Sequence, residues 1–137
     1  MGTGEHSQLQ LALGAYFFRR RKAWNVTAAT EVRVQIREGK YLIPDIYVAR
    51  GQTRLRGVLG EPPLLWIEIL SPEDRTVRVN RKVKDLLAFG IPYVWVIDPE
   101  TLESELHSAA GRTELMDGIL RIEGTEIVVP LKDVLED

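Results

Sequence analysis

Cysteine is absent from the 137 residues of this sequence, which excludes disulfide bonds and thiolate metal sites. A chain without cysteine suits a reducing compartment, and we expect a cytoplasmic protein. Long apolar runs are also missing, because none approaches the roughly 18 residues that a membrane span needs. The apolar stretch near the N-terminus is interrupted by glutamines and followed by basic residues 19–22, unlike a signal peptide. With no internal repeat and no low-complexity segment, the chain is expected to form one domain over residues 1–137.

The net charge is small, at −2, which argues against a protein that coats nucleic acids without specificity. This charge is unevenly distributed along the chain. Residues 1–98 contain 15 Lys and Arg against 10 Asp and Glu, whereas residues 99–137 contain 3 against 10. The basic front suits a phosphate backbone, but ordinary solvated surface charge explains it more simply.

Two apolar segments each carry a single carboxylate: Asp45 in residues 41–49 and Glu68 in residues 64–71. The second segment has apolar side chains at both alternating positions, which is typical of a central strand covered on both faces. An ionised carboxylate there is costly without compensation. Glu68 therefore requires a cation, a metal, a hydrogen-bond donor or a raised pKa. The same reasoning applies less strongly to Asp45, and pairing with an Arg or Lys is the alternative for both.

Periodicity and turn residues predict a helix, a hairpin, a strand, a helix and a strand, in that order. Ser7 is expected to cap the first helix, and Gly90 is expected to end the second. The strand over 26–36 should pair with the Asp45 strand as an antiparallel hairpin, with pairing interrupted at Pro44. The strand after the second helix should run parallel to the Glu68 strand. The remaining predicted elements are helices over 7–21 and 74–89, a strand over 91–97, a β meander over 102–129 and a helical turn over 131–135.

Basic residues accompany the carboxylates in this order. Lys82 lies on the flank of the second helix's apolar stripe, from which its ammonium could reach a neighbouring strand; projection into water is the alternative. The loop between the carboxylate strands contains three Gly and two Pro, and it carries Arg50, Arg54 and Arg56. These arginines could bind a phosphate-bearing substrate, although an ordinary solvated loop explains them equally well.

Two carboxylates and a lysine have the composition needed for Mg²⁺-assisted hydrolysis of phosphodiesters. Asp45 and Glu68 would hold Mg²⁺, or Mn²⁺ in its place, and the backbone carbonyl of Ile69 is a plausible further ligand. Lys82 would orient the attacking water or stabilise negative charge in the transition state.

The sequence resembles the PD-(D/E)XK nuclease superfamily over nearly its whole length. The resemblance rests on Pro44-Asp45, Glu68-Ile69-Leu70-Ser71-Pro72, Lys82, the segment 90–99 and the start at Gly4-Glu5-His6. More narrowly, the sequence is similar to a large bacterial family of restriction-endonuclease-like proteins that is abundant in cyanobacteria and mostly uncharacterised. The resemblance implies an α/β (α+β) fold with a restriction-endonuclease-like core, in which helices flank a mixed sheet in the order α-β-β-β-α-β before a C-terminal β meander. It also implies Mg²⁺-dependent cleavage of DNA, with Asp45 and Glu68 as the acidic residues of the motif.

The motif's lysine is the first point at which the sequence departs from the superfamily. That lysine is expected two residues after Glu68, where this chain has Leu70. Within the narrower family a lysine on the following helix is similarly placed, and Lys82 matches it.

The N-terminus is the second departure. The chain begins where the family's core begins, and it is expected to lack a preceding segment that often carries another acidic residue. Glu5 and Glu31 are candidate accessory acids, although each is more simply an exposed residue. His6 matches a recurrent histidine of the first helix, and we interpret it as structural or as a support for a metal ligand.

Three functions from different classes are consistent with these residues. The leading one is a metal-dependent endonuclease acting on DNA, expected to be a homodimer because many nucleases that cut duplexes need two active sites. The second is a non-catalytic nucleic-acid-binding or regulatory module that keeps the nuclease fold. The third is a structural domain whose carboxylates are already paired, so that divalent cations would not raise its melting temperature. Asp98 is interpreted as a turn residue, and His107 is assigned no role.

Overall fold

A six-stranded mixed sheet forms the centre of the computed structural model, which describes residues 3–136. Within these residues the helices are α1 (Gly4–Trp24), α2 (Thr76–Phe89) and α3 (Leu131–Val134). The strands are β1 (Val26–Thr30), β2 (Val34–Arg37), β3 (Lys40–Leu42), β4 (Ile46–Arg50), β5 (Leu65–Ile69), β6 (Tyr93–Ile97), β7 (Ser104–Ser108), β8 (Gly111–Glu114), β9 (Ile119–Arg121) and β10 (Val128–Pro130). None of the helices in this part of the chain is long and apolar enough to cross a membrane.

The strand order of the sheet is β1-β4-β5-β6-β7-β8. β5 and β6 are parallel, with Glu68 opposite Val96, and the other neighbouring pairs are antiparallel. α2 connects the two parallel strands, because a parallel pair needs a crossover of this kind. Along the strands of this sheet the chain order begins α-β-β-β-α-β, so the predicted fold class is confirmed.

α1 begins at Gly4, earlier than predicted, and its N-cap is Thr3. The Thr3 hydroxyl accepts a hydrogen bond from the backbone N–H of His6 at 3.2 Å, so the prediction that Ser7 caps the helix is wrong. Ser7 lies inside the first turn, where its N–H donates to the Thr3 carbonyl at 3.0 Å. The earlier start matters because it places His6 on the helix.

The predicted continuous strand over 26–36 is wrong, because this segment forms two strands with different neighbours. β1 pairs with β4 in the large sheet, whereas β2 pairs with β3 in a separate two-stranded sheet. Glu31 lies between them with a φ of 53°, a left-handed conformation that costs a non-glycine residue roughly 1–2 kcal/mol. The antiparallel pairing with the Asp45 strand is confirmed, and so is its interruption around Pro44, which lies between β3 and β4.

Each face of the sheet carries a hydrophobic core. On one face α1, α3 and the β9–β10 hairpin pack around buried residues that include Leu13, Phe17, Ile67 and Leu120. On the other face α2 and the β2–β3 hairpin pack around Val34, Trp66, Val83 and Leu86. Side chains of β5 alternate between these cores, so Glu68 points to the same face as Trp66, beneath α2.

The C-terminal strands depart in part from the predicted meander. β7 and β8 continue the large sheet next to β6, but β9 and β10 leave it and form a hairpin of their own. α3 confirms the predicted helical turn. Asp98 accepts a hydrogen bond from the backbone N–H of Glu100 at 2.9 Å, as expected of a turn residue. His107 is buried and has a partner that the sequence did not reveal, since its Nε2 lies 2.9 Å from Glu105 Oε1.

Candidate active site

Asp45 and Glu68 lie close together at one end of the large sheet. Asp45 immediately precedes β4, and its backbone N–H donates to the Ile67 carbonyl on β5 at 3.2 Å. Glu68 is the next residue of β5 after Ile67. The antiparallel pairing of β4 with β5 therefore places the two carboxylates on neighbouring strands, as predicted.

Both oxygens of the Asp45 carboxylate have partners. Oδ1 lies 3.1 Å from His6 Nε2 on α1, and Oδ2 accepts a hydrogen bond of 2.7 Å from the backbone N–H of Ile69. The backbone carbonyl of Asp45 accepts a further hydrogen bond, from Gln10 Nε2 at 3.1 Å. His6 and Gln10 are four residues apart on α1, so the same helix face supports both the side chain and the backbone of Asp45.

Glu68 has a cation and a neutral donor on the same oxygen. Its Oε1 lies 2.8 Å from Lys82 Nζ and accepts a hydrogen bond of 2.7 Å from the indole N–H of Trp66. The Glu68 side chain is 17% exposed and that of Lys82 is 32% exposed, so the pair is open to solvent on the lysine side. The prediction that Lys82 reaches a neighbouring strand is confirmed.

Burial raises the pKa of both carboxyl groups above its ordinary value. For Asp45, desolvation outweighs the lowering of the pKa by the Ile69 N–H and by the electrostatic interactions with His6 and Lys82. For Glu68, desolvation outweighs the lowering of the pKa by Lys82 and Trp66, and the neighbouring charge of Asp45 raises the pKa further. The donors of the site therefore do not fully offset the cost of desolvating the two carboxylates.

The donor atoms at this site fit a hard divalent cation. Within residues 3–136, no group of three or more His, Cys, Asp and Glu side chains is arranged to hold a metal ion. Mg²⁺, however, is commonly held by only one or two carboxylates, with water and substrate phosphate completing its shell. Asp45 and Glu68 supply two carboxylates whose desolvation the protein's own donors do not fully offset. The carbonyl of Ile69 points to the same strand edge as its N–H, towards Asp45, and adds a neutral oxygen.

The candidate accessory residues have different positions. Glu31 Oε2 accepts a hydrogen bond of 2.9 Å from Gln10 Nε2, the group that also binds the Asp45 carbonyl. Glu31 is thus linked to Asp45 through Gln10. Glu5 is exposed in the first turn of α1, next to His6 in sequence. Of the two acids, only Glu31 shares a hydrogen-bond partner with Asp45.

The structure places both ends of the basic loop away from the carboxylates. Arg50 ends β4, whereas Asp45 precedes it, so the two lie about 16 Å apart at roughly 3.3 Å per strand residue. The loop containing Arg54 and Arg56 begins there and returns to β5 at the same end of the sheet, since Leu65 is opposite Val48. Arg54 lies at that end too, in a groove that it shares with Val26 and Thr27. Phosphate binding by these arginines stays a prediction.

Sequence reasoning missed two residues that support the carboxylates. Trp66 lies on an apolar strand and is fully buried, as a core residue is, but its indole N–H also holds Glu68. The signal was the spacing of two residues on one strand, which puts both side chains on one face. Gln10 was overlooked because it looked like an interruption of an apolar stretch. Its spacing of four residues from His6 could have identified it.

Comparison with known proteins identifies the family of this chain and a solved structure with a similar fold. A family model, Uma2, described as "Putative restriction endonuclease", matches residues 1–127. A crystal structure described as a "putative nuclease belonging to DUF820", from Anabaena variabilis, is similar with a TM-score of 0.80 and 22% sequence identity. That likeness covers 99% of this chain and 83% of the other, and at such identity it carries the fold alone. Comparison with curated proteins gives no match.

Proposed function

Because this chain belongs to the Uma2 family of restriction-endonuclease-like proteins, we propose that it is a metal-dependent endonuclease that hydrolyses phosphodiester bonds in DNA. The observation that carries the proposal is the meeting of Asp45 and Glu68, two half-buried carboxylates with raised pKa, beside the ammonium of Lys82. Raised pKa values beside a cationic side chain are typical of reactive sites rather than of fully compensated structural ion pairs.

Asp45, Glu68 and the carbonyl of Ile69 would hold the cation, Mg²⁺ or Mn²⁺. When bound, such a cation polarises a phosphoryl oxygen and lowers the pKa of an attacking water. The protein's own groups hold the ligands in place. The Ile69 N–H and His6 each fix one oxygen of Asp45, and Trp66 fixes the side chain of Glu68.

Lys82 has two roles in this proposal. In the free protein its ammonium compensates part of the Glu68 charge at 2.8 Å. With substrate present, the same ammonium would orient the attacking water or stabilise the negative charge that grows on the phosphoryl oxygens. Leu70 occupies the position where the motif has its lysine. Lys82 of α2 can take over that role, because α2 packs on the face of the sheet to which Glu68 points.

DNA as the substrate is supported by the family description and by the basic front of the chain, with RNA as the alternative polymer. A non-catalytic module that binds nucleic acid without cutting it would share the fold and the family. The two differ in whether the carboxylates bind metal and whether phosphodiester bonds are broken.

The test combines a calorimetric titration of Mg²⁺ and Mn²⁺ with a nicking assay on supercoiled, linear and single-stranded DNA and on RNA. Wild type is expected to bind the cation and to cut nucleic acid, with cutting abolished by EDTA. Glu68→Ala should lose both. Lys82→Ala should keep cation binding and lose cutting, since its ammonium acts on the substrate. Glu38→Ala, on the exposed turn of the β2–β3 hairpin, is the matched control and should behave as wild type.

Two results would contradict the proposal. Wild type that neither binds the cations nor cuts any of the substrates would rule out the nuclease. Binding of nucleic acid that is indifferent to EDTA and never ends in cleavage would favour the non-catalytic module instead.

A further inference from the structure

The flank of α2 that carries Lys82 also carries Arg75 and Arg78. These residues are spaced i, i+3 and i+7, so they lie on one side of the helix, beginning at its N-cap residue Arg75. We call Arg75, Arg78 and Lys82 the α2 basic stripe. Lys82 lies in the candidate active site, and the other two extend from it towards the start of the helix.

Arg75 and Arg78 are exposed, and within residues 3–136 neither forms an ion pair. Arg81 and Lys84 of α2 are exposed and, within the same residues, equally without an ion pair, but they lie on other sides of the helix. Two cations of a neighbouring hairpin are paired. Arg37 and Lys40, from the β2–β3 hairpin, lie 3.7 and 3.3 Å from the two carboxylate oxygens of Asp85. Arg75 and Arg78 therefore present positive charge that no ion pair in the described part of the protein compensates, whereas Lys82 is paired with Glu68.

The position of these arginines is unfavourable for the helix itself. The N-terminus of a helix carries partial positive charge and favours acidic residues. α1 follows this rule, with Glu5 in its first turn and Arg21 and Lys22 in its last. α2 departs from it, because it has no acidic residue in its first turn and Arg75 makes no capping side-chain hydrogen bond. An anion placed along the stripe would remove this conflict, and local conflicts of this kind occur at functional sites.

The opposite flank of α2 excludes an anion. Thr76 and Asn80, spaced i and i+4 on that flank, line a groove of about 650 Å³. Its other wall carries the carboxylates of Asp98, Glu103, Glu105, Glu114 and Asp117. Two of these are paired, since Arg112 lies 3.4 Å from Glu105 and Arg121 lies 3.0 Å from Asp117, so the wall as a whole stays acidic. Phosphates are repelled from this side and attracted to the other, so α2 divides the surface around the site.

From these observations we propose that the α2 basic stripe binds the phosphates that flank the scissile bond on one side. Arg75 and Arg78 hold the strand, and Lys82 meets the reacting phosphate. Arg75 and Lys82 are seven residues apart, about 10 Å along the helix axis. At about 3.4 Å per nucleotide of a duplex strand, the stripe covers about three nucleotides. The proposal rests on the proposed function, and it assigns the substrate's path to α2 rather than to the loop of Arg50, Arg54 and Arg56.

The test is a binding titration of a fluorescein-labelled DNA strand and its duplex in EDTA, followed by fluorescence anisotropy at several salt concentrations. EDTA separates binding from cutting. The double variant Arg75→Ala/Arg78→Ala is compared with Arg81→Ala/Lys84→Ala, which removes two exposed cations from other sides of the same helix. A third pair, Arg54→Ala/Arg56→Ala, tests the loop. Alanine is a good helix former, and Arg75→Lys/Arg78→Lys checks that charge, not folding, is responsible.

We expect Arg75→Ala/Arg78→Ala to weaken binding by about five- to tenfold for each lost contact near 0.1 M salt. The slope of log K against log salt should fall by about 0.7–0.9 for each contact, and the lysine pair should restore most of the affinity. The other two alanine pairs should bind as wild type does. Equal losses of DNA affinity in all three alanine pairs, or a loss confined to the loop pair, would overturn the proposed role of the α2 basic stripe. Neither result would overturn the proposed function. Wild type that binds no DNA in any form would overturn both.

Discussion

The fold tolerates the partial burial of Asp45 and Glu68, but this burial does not stabilise the protein. Burial raises the pKa of each, even though His6, Ile69, Lys82 and Trp66 all contact these carboxylates. A protein selected only for stability could place neutral side chains of similar shape here. The presence of two carboxylates here is explained if an external cation binds them, because that cation would offset the desolvation cost that the protein's own groups leave.

At this scale we predict that Glu68→Gln stabilises the protein in the absence of metal at neutral pH. The Gln side chain keeps the shape and removes a buried charge. Because the folded-state pKa of Glu68 is raised, the wild type is expected to match the variant below the ordinary pKa of 4.5. Its stability should then fall relative to the variant as the pH rises through the folded-state pKa, and the difference should be constant above it. Melting temperatures measured in EDTA from about pH 4 to about pH 8 test this.

Glu38→Gln controls for the loss of one negative charge without burial, because Glu38 lies on an exposed turn. A wild type that becomes more stable than Glu68→Gln as the pH rises would mean that Lys82 and Trp66 compensate the carboxylate fully. That result would favour a structural ion pair at this position. It would also weaken the case for metal binding.

At the scale of the element, several local sequence features of α2 favour the same helix. Val79, Val83 and Leu86 face the sheet, Lys82 lies on the flank, and Gly90 ends the helix. Gly90 has a φ of 110°, and its N–H bonds to the Leu86 and Leu87 carbonyls. Because the apolar pattern and the C-terminal cap agree, the helix could be predicted from the sequence. The same pattern predicted that the Lys82 ammonium could reach a neighbouring strand.

We therefore predict that Gly90→Ala destabilises the protein by roughly 1–2 kcal/mol, the cost of a left-handed conformation for a residue with a Cβ atom. The added Cβ would lie 3.6 Å from Pro62, an ordinary contact, so the backbone conformation is the main cause. Gly60→Ala is the matched control, since a Cβ there meets nothing within 4 Å and its φ is not positive. Urea denaturation of the two variants measures the difference. Equal midpoints would show that the helix end tolerates an ordinary residue.

The segment between β1 and β2 shows the limit of local pattern. Residues 26–36 alternate as one strand would, yet the chain turns at Glu31 and β2 leaves the sheet. Alternation is equally compatible with one long strand and with two short strands on different sheets. Only the need to cover the α2 side of the core, where Val34 and Ile36 are buried, decides between them.

At the scale of the whole molecule, the site depends on elements that are distant along the chain. His6 comes from α1, Asp45 from the start of β4, Glu68 from β5 and Lys82 from α2. Each is supported by the sheet or packed on one of its two faces. The large sheet and both cores therefore have to form before the carboxylates acquire their partners.

The homodimer that we expect from duplex cleavage is also a property of the whole molecule. Two active sites are needed to cut both strands at once, and a twofold-symmetric pair is the commonest arrangement. Sedimentation equilibrium is expected to give a mass about twice the 15.6 kDa of the chain at the concentrations where double-strand cutting is measured. A monomer that nevertheless cuts both strands in one encounter would contradict this expectation.

The sequence by itself determined the element order, the carboxylate pair and the helix that carries Lys82, because these follow from local periodicity, turn residues and the cost of burying a charge. Tertiary structure alone decided that His6 and Gln10 support Asp45, that Trp66 holds Glu68 and that Arg50 and Arg54 lie at the far end of β4. It also decided that one flank of α2 faces an acidic wall of the neighbouring strands and loops. These outcomes depend on which elements become neighbours in space, and packing of the whole chain settles that, whereas sequence spacing constrains only residues within one element.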